Sequence, residues 1–378
     1  EGADAVYLGL KSFNARMRSS NFAWNQFEAT VDVLHKRNKK IYVTVNTVVT
    51  ENEMERLYRF LAYLNNVGPD GIIVQDLGLI QMAHKHFPKL KLHASTQLNI
   101  ASAKAANAMS RWGVSRTVLA RELSLEEIRA VHANTSCELE VFVHGALCVS
   151  ESGLCLFSSY LGGKSANRGM CTQACRRLYT AHEPEGDREG YFFSPADLQL
   201  IEYIPDLIQA GVASFKIEGR MKSLYYTALV TRAYRKRIDA LFGKISPAEA
   251  EPFVKELYNT AHRAFGTGFY FSKDDANKTT RGESKSPYSM AGTIGKDLGN
   301  NRYEFISMNK ITADMPLEYI GPDICAIEDR NYTLLDPETG AARDWVCHGH
   351  PCIIETSVPL RSGFIVRTKS RENSETTV

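Results

Sequence analysis

The chain has 378 residues, 44% of them hydrophobic, enough for one large domain and a small one. Its 45 basic and 43 acidic residues leave a formal charge of +2. That excludes a polybasic coat but leaves room for a local nucleic-acid groove, because affinity follows where the charges sit. No apolar run is long enough to cross a bilayer, so a cytoplasmic protein with no membrane partner is expected.

The opening "EGADAVYLGL" lacks a methionine and runs at once into a strand, which predicts a leading segment outside this sequence. Strand patterns then recur at roughly thirty-residue intervals, at 3–10, 40–49, 70–76, 89–99, 115–122, 138–147 and 212–220. Helical patterns lie between them. Met54, Leu57, Phe60, Leu61 and Leu64 share one face, and Ser124 with Glu127 forms a capping box. Alternating strands and helices predict a parallel sheet. The expected architecture is a (β/α)₈ TIM-type barrel over 1–266 whose first strand is truncated, with an open doubly wound sheet as second choice. Chemistry then belongs at the C-terminal ends of the strands.

After a polar linker at 267–285 the pattern changes to short alternating runs, "AGTIGKD", "RYEFISM", "PLEYIGP", "CIIETSV" and "GFIVRTK". These predict a small all-β barrel over 286–370. The last residues, 371–378, read as a tail.

Four of the eight cysteines fall in a Gly- and Ser-rich loop at 145–180, as Cys148, Cys155, Cys171 and Cys175. Such a loop has little apolar content to order itself, and a metal bound by thiolates would order it. Zinc and an iron–sulfur cluster both accept four thiolates, and the C-x6-C-x15-C-x3-C spacing leaves both open. Cys137, Cys325, Cys347 and Cys352 are dispersed or distal. "CHGHPC" at 347–352 is a second ligand-like group, better read as a packed hairpin.

Polar residues gather where the strands end. They are Asn14 and Arg16, Asn46, Ser95 and Gln97, Arg121 and Glu122, His144, and Lys216, Glu218 and Arg220. Taken singly, each suits a cap or an ion pair, but together they suit a site, and three arginines there suit an anionic ligand. The helix after Arg220 carries Lys222, Arg232, Arg235, Lys236 and Arg237 with Tyr225, Tyr226 and Tyr234. Basic and aromatic side chains together are what RNA binding uses, and a solvated face with inward tyrosines would give the same pattern. Neither H-E-x-x-H nor G-x-S-x-G occurs.

"GADAVYLGL", "ASTQ", "EVFVHGALCVSESGLCLFSSYLGGKSANRGMCTQACR" and "AGVASFKIEGRMKS" together resemble the collagenase-like peptidase family, peptidase family U32. The likeness runs over about 1–270, and the C-terminal part looks like that family's β extension. Despite the peptidase name, the resemblance implies RNA or ubiquinone hydroxylation, and this chain looks most like the prephenate-dependent tRNA uridine hydroxylation branch. It implies a [4Fe–4S] cluster on Cys148, Cys155, Cys171 and Cys175, with zinc the less favoured occupant. It also implies hydroxylation at C5 of the wobble uridine, with prephenate as oxygen donor. Asn14, Arg16, Asn46, Gln97, Arg121, Lys216 and Arg220 are then the candidates to bind this small dicarboxylate or the base. His144 and Glu218 are candidates for proton transfer. Lys222, Arg232, Arg235, Lys236 and Arg237 would hold the anticodon arm, and a second protein of the same family is a possible partner. A collagenase-like peptidase is the alternative the family name carries.

Overall fold

The computed structural model describes residues 1–276 and 278–370; the expected tail lies outside the described residues. Packing divides the chain into two compact units, one of residues 3–222 and 263–284, the other of residues 1–2, 223–262 and 285 onward.

In the first unit six strands pair in parallel and in chain order: β1 (Ala5–Leu8), β2 (Lys40–Val45), β3 (Gly71–Val74), β4 (Leu92–Ala94), β5 (Val114–Val118) and β6 (Glu138–Ala146). The hairpin β7 (Tyr179–Glu183) and β8 (Gly186–Gly190) pairs only with itself. Then β9 (Asp197–Gln199) runs antiparallel to the end of β6, while β10 (Val212–Ile217) runs parallel to it. A two-residue strand, β11 (Phe265–Gly266), closes the order beside β9. All seven strands expected from the sequence are present. The ladders establish a mixed α/β sheet; among the described residues none joins β1 to β10, although the Tyr7 hydroxyl of β1 donates to the Ile217 carbonyl at 3.2 Å.

Burial explains the strand patterns. Every residue of β3 is buried, which is why it reads as a continuous apolar run. The helices α1 (Trp24–Lys36), α2 (Met54–Val67), α3 (Leu77–His86), α4 (Ala103–Ser110) and α5 (Leu125–His132) each follow a strand. In α2 the stripe Leu57, Phe60, Leu61 and Leu64 is buried, and Gly68 ends the helix in the left-handed conformation. The capping box expected at Ser124 and Glu127 opens α5. Two short helices follow, α6 (Phe157–Gly162) in the cysteine loop and α7 (Ile204–Gln209) before β10.

The segment expected as a linker returns to this unit instead. Thr280 donates its amide to Ser194, Tyr270 its hydroxyl to Phe142, and Arg263 pairs with Asp197.

The second unit joins α8 (Leu224–Leu241) and α9 (Pro247–Lys255) to an eight-stranded antiparallel sheet. Its strands include the five runs expected, at Tyr288–Gly299, Arg302–Ser307, Leu317–Ile320, Cys352–Glu355 and Ile365–Lys369. The sheet curls about one core, in which Tyr319 and Leu334 from opposite halves of the strand order belong to the same cluster. Helix α8, expected in the barrel, thus belongs with the β-rich part.

Candidate active site

Parallel strands bring their C-terminal ends to one rim, and the expected residues arrive there from separate segments. Arg16, Gln97, Arg121, His144 and Glu218 line one pocket of about 100 Å³. Cys148, Cys155 and Cys171 line the same pocket. An adjoining cavity of about 60 Å³ shares Arg16, Gln97 and Glu218 as walls and adds Tyr7, Asn46, Lys216 and Arg220.

The individual geometry separates contact from support. Arg16 stands 3.9 Å from Glu218, a loose pair, and donates its Nη1 to the Ala15 carbonyl at 3.3 Å. Glu218 accepts from the Tyr7 hydroxyl at 3.1 Å and from the Arg220 amide at 3.3 Å. Arg220 donates to Thr44, Asn14 and Asn21 at 2.9–3.0 Å, so its fork is occupied. Asn14 is fully buried, and its Oδ1 accepts from the Arg16 amide. It shapes the turn that presents Arg16 and lines neither cavity. Asn46 accepts from the Ala15 amide at 3.0 Å and holds the same turn. Lys216 is buried against Glu140 at 2.7 Å, with its ammonium 4.3 Å from the Tyr7 ring. That placement spends its charge on a structural pair. His144 is buried near the end of β6, its ring 5.4 Å from Phe265.

None of the cysteines is in a disulfide. Arg121 lowers the Cys148 thiol below its usual value, opposed by burial and aided by Arg16 and Arg176. Burial pushes the Cys175 thiol up to about 11, and Cys148, Cys171 and Cys155 push it the same way. Three sulfurs therefore act on Cys175, and Arg121, Arg16 and Arg176 supply positive surroundings at Cys148. Among the described residues no three His, Cys, Asp or Glu side chains stand together at metal-holding spacing. Four thiols on one loop, three of them lining the pocket, are a donor set whose chemistry suits a thiolate-bound metal.

The loop that carries them is braced at points the sequence reading missed. Arg176 donates to the carbonyls of Leu147 (2.6 Å) and Pro195 and to the Ser194 hydroxyl (2.9 Å). Ser152, fully buried, donates its amide to Glu122 at 3.0 Å and accepts from Arg121 Nε at 3.1 Å. Arg168 reaches across to the Val48 carbonyl and to Glu53. Glycine allows the close fit: a Cβ on Gly153 would meet the Gln97 carbonyl at 2.0 Å, and one on Gly169 the Asn14 carbonyl at 2.3 Å, both at positive φ. An arginine beside Cys175 was the one available signal for Arg176. Tyr7 was hidden within an ordinary strand alternation.

In the helix after Arg220, expected to bind RNA, burial withdraws Arg232. Arg232 is 1% exposed and donates to the carbonyls of Gly321, Ile324 and Cys325, so it caps backbone and faces no solvent. Arg235 pairs with Asp239 and Lys236 with Asp323, while Tyr225, Tyr226 and Tyr234 are buried. Arg237 is half-buried on the same helix. Lys222, in the other unit, is also half-buried and points its ammonium to Ser284 at 3.4 Å. In "CHGHPC", Cys352 is buried, His348 is exposed and the His350 ring lies edge-on to Trp345 at 6.1 Å. The segment is a turn between two strands that pair in different sheets, Trp345–Val346 with Ile311–Thr312 and Cys352–Glu355 with Arg302–Ser307, so the hairpin expected there does not form.

The model of peptidase family U32 matches residues 1–280. An uncharacterized protease of Methanocaldococcus jannaschii is 41% identical, over 82% of this chain and 78% of its own. The 23S rRNA 5-hydroxycytidine synthase of Escherichia coli is 39% identical over 78% of this chain, which spans 46% of that protein. The tRNA hydroxylation protein P1 of Bacillus subtilis is 34% identical, over 85% of this chain and 80% of its own.

Proposed function

The chain belongs to peptidase family U32, and from that premise we propose that it is an RNA-hydroxylating enzyme. Its substrate in this reading is tRNA, at C5 of the wobble uridine, with prephenate as oxygen donor. The proposed framework is a complete (β/α)₈ barrel with its site at the strand ends. The observation that carries the reading is one pocket lined by Cys148, Cys155 and Cys171 together with Arg16, Arg121, His144 and Glu218. Two relatives whose names state RNA hydroxylation support it.

Cys148, Cys155, Cys171 and Cys175 would hold a [4Fe–4S] cluster, which supplies electron transfer that acid–base side chains cannot. Arg16 and Arg121 hold the donor's carboxylates, since a guanidinium pairs bidentately with them in a partly dry pocket. Glu218, bonded by Tyr7, and buried His144 are the groups placed to take or return a proton at the base. An unpaired anticodon base enters such a pocket without melting a duplex.

Mass spectrometry of tRNA nucleosides from a deletion strain tests the reading. Loss of the hydroxylated uridine, restored by wild type but not by Cys171→Ala, is expected. The protease name of the Methanocaldococcus relative favours a second reading, peptide cleavage. Gelatin cut by purified protein, with tRNA nucleosides unchanged on deletion, would replace the first reading with it.

A further inference from the structure

The cysteine loop presents more apolar surface to solvent than its size explains. Tyr160 is 91% exposed, Leu156 69%, Leu154 59% and Leu178 53%. These side chains are not on a slack segment. Leu156 is the residue flanking the start of helix α6 and Tyr160 lies within it, and the helix is pinned by Phe157, whose ring packs 5.2 Å from Phe193 and 6.3 Å from Tyr179. Its C-terminus is closed by the Gly163 and Lys164 amides, which donate to Ser159 and Ser158. A rigid mount holding an aromatic ring out in water marks a contact surface.

Charge selects the partner. Between 148 and 178 the sequence has Lys164, Arg168, Arg176 and Arg177 but a single acid, Glu151, in a chain otherwise near balance. Lys164 and Arg177 are exposed, as is Arg18, which donates to the Cys171 carbonyl. Lysine is depleted from protein–protein interfaces, and α6 is too short to lie as an amphipathic anchor in a bilayer. A flexible polyanion with flat apolar faces fits both features.

We propose that α6 and its flanks form a stacking platform for single-stranded RNA, with Tyr160 against a base and Lys164 and Arg177 on the flanking phosphates. This rests on the RNA-hydroxylation reading and names where that substrate docks. The platform lies in the chain between Cys155 and Cys171, which line the pocket. It also takes over the role that the buried arginine of α8 cannot play.

The test is fluorescence anisotropy of a labelled single-stranded RNA of about 12 nucleotides, within the usual range of such sites, against the purified full chain at several salt concentrations. Tyr160→Ala is expected to weaken binding about tenfold or more, while Tyr160→Phe keeps it and both variants melt like wild type. Arg177→Ala is expected to reduce the salt slope by about 0.7. If wild type binds and Tyr160→Ala binds equally well, the platform is wrong and the RNA reading stands. Absence of binding by wild type, with nucleosides unchanged on deletion, removes both. Should Tyr160→Ala instead convert a dimer to a monomer in light scattering, the surface is a contact between copies of this chain and the proposal fails.

Discussion

Arginine does most of the local work in this site, in three distinct ways. Arg16 is held loosely, Arg121 lowers the Cys148 thiol below its usual value, and Arg176 is a brace. Arg176→Ala leaves two carbonyls without their cationic donor, which costs about 2–3 kcal/mol. Urea unfolding should show that loss, and the variant should retain less iron or zinc per chain than wild type. Arg168 has a pH signature. Its hydrogen bond to Glu53 holds that carboxyl down to about 2, against an unfolded value of about 4.3. A depressed carboxyl stabilises the fold above its unfolded value, and this contribution fades as pH falls from about 4.3 towards 2. The pair is partly exposed, so it is worth under about 1 kcal/mol. Glu53→Gln should flatten the acid limb of stability in just that window; an unchanged limb would show that the pair contributes nothing.

Among the elements, the strand ends were legible in the sequence and the loop was not. The seven strands expected in the first unit follow from apolar, β-branched runs, most plainly β3, which is buried throughout. The strands β9 and β11 were missed because three and two residues carry no periodicity, and the hairpin of β7 and β8 because none of its residues is buried. Helix α8 misled for a different reason. Sequence shows that arginine and tyrosine recur, but only packing shows Arg232 spent on carbonyls and the tyrosines turned inward. The glycines of the cysteine loop read as slackness, yet Gly153 is where the loop lies flat on Gln97. Gly153→Ala forces the loop off that carbonyl. Hydroxylated nucleoside should fall at least tenfold in a complemented strain, while the melting midpoint drops only a few degrees. A variant with normal product and normal stability would show that the contact is not needed.

For the whole molecule, each unit is held by its own buried ion pairs. In the second unit Arg367 is 1% exposed, bonded to Glu256, Glu318 and the Tyr225 hydroxyl, with its guanidinium over the Tyr288 ring. It ties α8 and the turn after α9 to the sheet. Arg367→Ala leaves buried Glu256 and half-buried Glu318 without their cation and costs about 3–5 kcal/mol. Hydrogen exchange should show that loss in the strand Tyr288–Gly299 and not in β3; uniform loss across both would mean that the units unfold together.

The chain passes between the two units at 2/3, 222/223, 262/263 and 284/285. Neither body is thus a continuous stretch of polypeptide, and a cut at the apparent end of the helices, near 266, severs both. The shortened product would keep α8 and α9 with their apolar sides bared and would lose the return segment that seats Tyr270. Ribosomal synthesis meets the same difficulty. Met290, Ile320 and Ile365, on which α8 packs, all emerge after it, so the nascent protein must carry a sticky helix until those strands are made.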